Sequence, residues 1–177
     1  RPDYAVTVYT KILKQIYPDV PVIIGGIEAS LRRVTHYDYW QDGLKPSILV
    51  ESGADWLCYG MGERTMIEFT KAIETGRNIN DIRRIPQLAF YMDGKCRTKD
   101  AVILNSYERC CKDKIAFAEN FHVVETYANM LQPPVLVEPV GKGYVQINPT
   151  WPPATEQEMD SFWDLPFTKM PHPRYKG

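Results

Sequence analysis

The chain has 177 residues, of which 44% are hydrophobic, 12% aromatic and 24% charged, which is the composition of one globular domain and excludes wholesale disorder. Its 21 Lys and Arg against 22 Asp and Glu leave a net charge of -1, so the broad positive field behind sequence-independent nucleic-acid or anionic-membrane binding is absent. No apolar run approaches the roughly 18 to 20 residues a bilayer span needs, and the chain is expected to be soluble and cytoplasmic.

Val6, Tyr9, Ile12, Leu13 and Ile16 recur at helical spacing and predict a helix that ends before Pro18 and covers a core. Val20 to Gly26 then reads as a strand buried on both faces and closed by glycines, and Asp55 to Gly60 repeats it. Met66, Ile67, Thr70 and Ile73 predict a second amphipathic helix, with Gly76 as its left-handed cap. This alternation predicts an α/β fold: a Rossmann-like or flavodoxin-like open, mostly parallel sheet with helices on both faces.

Leu88 to Met92 and Ala101 to Leu104 read as two strands joined in a hairpin around Asp93-Gly94. Phe117, Phe121, Val124, Ala128 and Leu131 predict one long helix over about 108–131. Nine of the fourteen prolines fall at or after Pro133. The domain is therefore expected to occupy 1–131, and 132–177 to form a Pro-rich extended strap. Within that strap Tyr144 to Asn148 alternates like a strand, and Thr155 to Glu158 has the form of a capping box. Arg1 at the start and a tail without a closing helix read as an excised piece of a longer polypeptide.

The candidate ligand residues are Gly25, Gly26 and Glu28 after the first strand and Gly60, Gly62 and Glu63 after the second. Ligands of open α/β sheets bind beyond the carboxyl ends of strands, where glycine lets a backbone approach a phosphate, ribose or macrocycle. The competing reading is that the glycines only make tight turns and Glu63 only caps a helix. His36, Tyr37, Asp38, Tyr39 and Trp40 form a second cluster: a stacking platform with Asp38 orienting His36, or a loop anchored on the sheet. Arg32 joins it as a phosphate contact or as a solvated edge. Four cysteines at 58, 96, 110 and 111 lack metal-ligand spacing, and Cys58 reads as an inert buried thiol. No chain-borne metal centre and no catalytic residue are indicated.

Val22 through Arg33, His36 through Trp40, Ser47 through Leu49, Ala54-Asp55, Tyr59 through Arg64, Ile147 through Pro149, Glu158 through Asp160, Leu165-Pro166 and Met170 through Tyr175 together resemble the amino-terminal region of the YgiQ family of radical S-adenosylmethionine (SAM) proteins. The resemblance implies a non-catalytic accessory region that completes the substrate pocket of a radical SAM core in the same polypeptide. In the family that core carries a C-x-x-x-C-x-x-C loop, a [4Fe-4S] cluster and S-adenosylmethionine, and no such loop occurs here. The loops at Gly25-Gly26 and Gly60 to Glu63 are also similar to those of cobalamin-binding domains, although the D-x-H-x-x-G motif is absent. The alternative is a free-standing flavodoxin-like module that binds a corrinoid or a nucleotide. The parent's substrate stays open, and a nucleic-acid partner is not supported by the charge balance.

Overall fold

Two glycine-ended apolar runs set the sheet, and the computed structural model shows how the described residues, 3–166, 168, 170–171 and 173–175, are built around them. The chain runs α1 (Ala5–Ile16), β1 (Ile23–Ile24), α2 (Gly26–Leu31), β2 (His36–Asp38), β3 (Gly43–Lys45), α3 (Ile48–Ser52), β4 (Trp56–Cys58), α4 (Glu63–Glu74), α5 (Ile79–Ile82) and β5 (Leu88–Asp93). It continues through β6 (Val102–Ile103), α6 (Tyr107–Cys110), α7 (Lys114–Ala128), β7 (Leu136–Val140), β8 (Gly143–Ile147), α8 (Glu156–Trp163) and a 3-10 turn at Pro173–Tyr175. Six strands form one open sheet in the order β1-β4-β5-β8-β7-β6, while β2 and β3 pair separately.

Side chains alternate across this sheet and supply two cores. Leu57, Ala89, Val145 and Ile147 face α1, α2, α3 and α7, through Val6, Ala29, Ile48, Leu49 and Val124. Trp56, Cys58, Leu88 and Phe90 face α4 and α5, through Phe69, Ala72 and Ile82. Trp56 packs edge-on against both Phe69 and Phe90, at 5.6 and 5.5 Å between ring centres. Leu57 and Leu88 are fully buried, and each such side chain contributes about 2 kcal/mol. The α/β class with helices on both faces is as the sequence predicts.

The pairing is more mixed than a mostly parallel order. β1–β4 and β6–β7 are parallel, whereas the three central ladders, β4–β5, β5–β8 and β8–β7, are antiparallel. The predicted β5–β6 hairpin does not form, because the β7–β8 hairpin lies between them. That hairpin also corrects the expected boundary at 131: residues 136–147 are central to the sheet and not a strap. Pro139 is tolerated in β7 because Val140↔Gly143 closes a two-residue turn, which directs the Pro139 nitrogen toward β6, and β6 ends its pairing at Val137. Gly141, at φ +58, starts the turn.

The predicted long helix is two. Asp113 caps α7 by accepting the Ile115 N–H at 2.9 Å, which interrupts the helix after α6. α7 buries Ala116 and Asn120 and leaves Phe121 exposed, and the predicted face does not extend to Leu131, which lies past its end and is also exposed. α1 is also turned from its predicted pose: it buries Thr7 and Thr10, and Tyr9, Ile12, Leu13 and Ile16 are 43–59% exposed. Gly76 caps α4 at φ +63, with Arg77 N–H donating to Ala72 and Gly76 N–H to Ile73. The capping box at Thr155 and Glu158 is complete. Of the tail motif, His172 lies outside the described residues, as do Phe167, Lys169, Lys176 and Gly177.

Candidate functional site

Parallel register puts Ile23 beside Trp56 and Ile24 beside Leu57, so the exits of β1 and β4 open side by side. The structure therefore brings Gly25, Gly26 and Glu28 to the same edge as Gly60, Gly62 and Glu63. Gly60 N–H donates to Ser30 Oγ at 3.2 Å, which ties the second loop to α2. Glu63 is the first residue of α4, where a carboxylate suits the helix dipole.

The chain itself accounts for the glycines at three of these positions. A Cβ on Gly25 would stand 3.2 Å from the Cys58 carbonyl, on Gly60 2.7 Å from Gln87 Nε2, and on Gly62 3.0 Å from Cys58 Sγ. Gly60 also holds φ +71 and Gly26 φ +81, conformations that side chains rarely adopt. Only at Gly26, among these four, is the space around an added Cβ open. Gln87 fills the space beside Gly60 because its amide donates to the Tyr59 carbonyl at 3.1 Å. Its backbone N–H donates to Pro149. Tyr59 in turn donates its phenol to the Asn148 carbonyl, and burial pushes that phenol up to about 12.

Arg32 links the edge to the aromatic segment. It pairs with Glu28 at 3.3 Å and lies over the Tyr4 ring at 5.5 Å. Beneath it, the buried Asp38 carboxylate accepts from Tyr4 Oη at 3.2 Å, Trp40 N–H at 2.8 Å and Gln41 N–H at 3.1 Å, and Lys45 pairs with it at 3.3 Å. Burial by itself would raise its pKa, but the Gln41, Tyr4, Lys45 and Trp40 donors together hold Asp38 below the usual carboxylate range. Lys45 is completed by Glu51 at 3.0 Å and the Tyr4 ring at 3.8 Å.

His36 is buried, and its Nδ1 contacts the Val34 carbonyl at 3.2 Å, not Asp38. Burial lowers the His36 pKa, and a carbonyl partner makes Nδ1 the protonated nitrogen. Asp38 is thus occupied with the hairpin and Lys45 and does not orient His36. Tyr37 donates to Asp42 at 2.5 Å. Trp40 is 80% exposed and meets Tyr39 edge-on at 5.4 Å. A cavity of about 200 Å³ lies between Asp3, Tyr4, Arg32 and Trp40.

Sequence reasoning missed Tyr4, Lys45 and Glu51, which carry this network from three separate segments, because no local pattern announces a long-range ion pair. It also missed Glu138, buried in β7 between Leu136 and Val140. A charged residue alternating in an apolar strand was the available signal. Cys58 and Cys110 are buried and Cys111 is exposed. Burial pushes the Cys58 thiol up and Cys110 up to about 11. Among the described residues no three His, Cys, Asp or Glu side chains are placed to hold a metal ion. Among the described residues no helix is long and apolar enough to cross a membrane.

Comparison with known proteins gives the family. The chain is 46% identical to a UPF0313 protein of Porphyromonas gingivalis and 42% identical to one of Bacteroides thetaiotaomicron, in both cases over its whole length. It is 39% identical over 99% of its length to a UPF0313 protein of Methanocella arvoryzae. It spans 28%, 31% and 29% of these relatives, respectively. No solved structure matches it significantly. The family described as Radical SAM N-terminal matches residues 1–177, so the chain, with its paired strand exits and helix-covered sheet, belongs to that family.

Proposed function

We propose that this chain is the non-catalytic accessory region of a radical SAM enzyme, packing against the core of the same polypeptide and helping to close its substrate pocket. The [4Fe-4S] cluster and S-adenosylmethionine belong to that core in this reading. The observation that carries it is α1. The helix turns Thr7 and Thr10 inward and leaves Tyr9, Ile12, Leu13 and Ile16 outward. An amphipathic helix with its apolar stripe in solvent has a second partner. Ile27 and Leu31, 80% and 70% exposed on one side of α2, add to the apolar surface beside the strand exits, as do Met61 and Trp40. Relatives more than three times as long supply chain enough for a core.

A free corrinoid or nucleotide module is the less favoured reading, because the spaces at Gly25, Gly60 and Gly62 are taken by the chain's own atoms. Amide exchange decides the matter. In the full-length polypeptide α1 should exchange at least about tenfold more slowly than in the 177-residue chain, corresponding to ~1.4 kcal/mol of added protection. Equal exchange refutes docking through α1. A cobalamin titration that changes the corrinoid absorbance spectrum would instead favour the module.

A further inference from the structure

On the second face of the sheet, α4 and α5 pack over Trp56, Cys58, Leu88 and Phe90. Beyond them lies an open groove of about 620 Å³, floored by Phe90, Met92, Tyr144 and Gln146. Arg83, Arg84 and Arg97 line it. Arg83 and Arg97 make no ion pair among the described residues, and Arg84 has only an exposed one to Asp81, at 3.8 Å. The Arg83 guanidinium lies over Phe90, 5.8 Å from the ring centre, with Nε buried and unpartnered. Tyr144 lines the groove with both arginines; burial raises its phenol, and the charges of Arg83 and Arg97 oppose that rise.

The segments that carry Arg83 and Arg97 are anchored through Gln146. Asn148 Nδ2 donates to the Arg83 and Ile85 carbonyls at 2.8 and 2.7 Å, and Gln146 Nε2 donates to Asn148 Oδ1 at 2.9 Å. On the other wall, Thr98 Oγ1 donates to Gln146 Oε1 at 2.8 Å and fixes the loop that carries Arg97. One polar ladder, Gln146 on β8 and Asn148 just past its end, thus pins the two backbone segments that carry arginines lacking a carboxylate. A half-buried Arg83 and an exposed Arg97, both without an ion pair among the described residues and carried on a pinned frame, are matched by a tetrahedral dianion, which accepts from both forks.

We infer that this groove binds a phosphate-bearing small molecule, with Arg83 and Arg97 as its phosphate ligands and Arg84 as a peripheral contact. The inference does not depend on the accessory role proposed above. Calorimetric titration of the chain with inorganic phosphate and with adenosine 5′-monophosphate, at constant ionic strength, tests it. Both should bind saturably, and Arg83→Gln and Arg97→Gln should each weaken binding by about tenfold or more. Arg84→Gln should have a smaller effect. Arg97 is on a loop, so its variant keeps the test valid if Arg83→Gln melts early. No saturable binding up to about 10 mM, or unchanged binding in Arg97→Gln, overturns the site. Equal binding of acetate overturns the phosphate assignment.

Discussion

Glu138, in the middle of β7, accepts the backbone N–H of Thr35 through both carboxylate oxygens, at 2.8 and 3.1 Å, across 103 residues of sequence. This contact fastens the start of the aromatic hairpin to the sheet. Burial dominates its titration and pushes the carboxyl up to about 7 from 4.5, with the Thr35 bonds opposing.

A raised carboxyl pKa means that the fold favours the protonated form. Between about pH 4.5 and 7 the folded state holds a proton that the unfolded chain has lost, so stability falls as pH rises through this window, by about 3 kcal/mol from this group. Glu138→Gln keeps an acceptor for Thr35 and removes the titration. Urea unfolding at pH 5 and 8 should therefore show a smaller loss in the variant, with the variant the more stable at pH 8. Parallel pH profiles for the two proteins would show that Glu138 is not the titrating group.

Asp38 behaves in the opposite sense. Its four donors hold it below 3.8, so its contribution is present above that pH and is lost as pH falls through the depressed value. Asp38→Ala removes the acceptor for Tyr4, Trp40 N–H and Gln41 N–H and leaves Lys45 with Glu51 alone. The expected cost is about 2–4 kcal/mol, read by chemical denaturation at pH 7. A cost below about 1 kcal/mol would mean that water replaces the lost carboxylate.

Gly26 and Gly60 separate backbone strain from contact. Both have positive φ, so Ala at either costs about 1 kcal/mol in conformation. At Gly60 the new Cβ also displaces the Gln87 amide from the Tyr59 carbonyl, adding about 1–2 kcal/mol. Gly60→Ala should thus be clearly the more destabilising of the pair. Equal costs would indicate that Gln87 moves aside freely.

By itself the sequence determined what is local. Apolar runs ended by glycine, a Gly76 cap and a Thr155–Glu158 capping box each rest on neighbours within a few residues, where propensity and hydrogen-bond geometry decide. The two glycine-ended strands were legible for that reason, and so was the family resemblance carried by the motifs around them.

Tertiary structure decided what depends on distant partners. The sequence pattern cannot tell which side of α1 faces the sheet, because an apolar stripe has the same period whether it meets the sheet or a second partner. Nor can proline content show that Leu136 to Val140 is an inner strand, since only the register against β8 reveals that the Pro139 nitrogen is spared a ladder bond. Asp38 reads as a partner for His36 two residues away, yet Tyr4 and Lys45 reach it through space. A buried carboxylate takes whichever donors the fold brings to it, and sequence adjacency carries no energy in that choice.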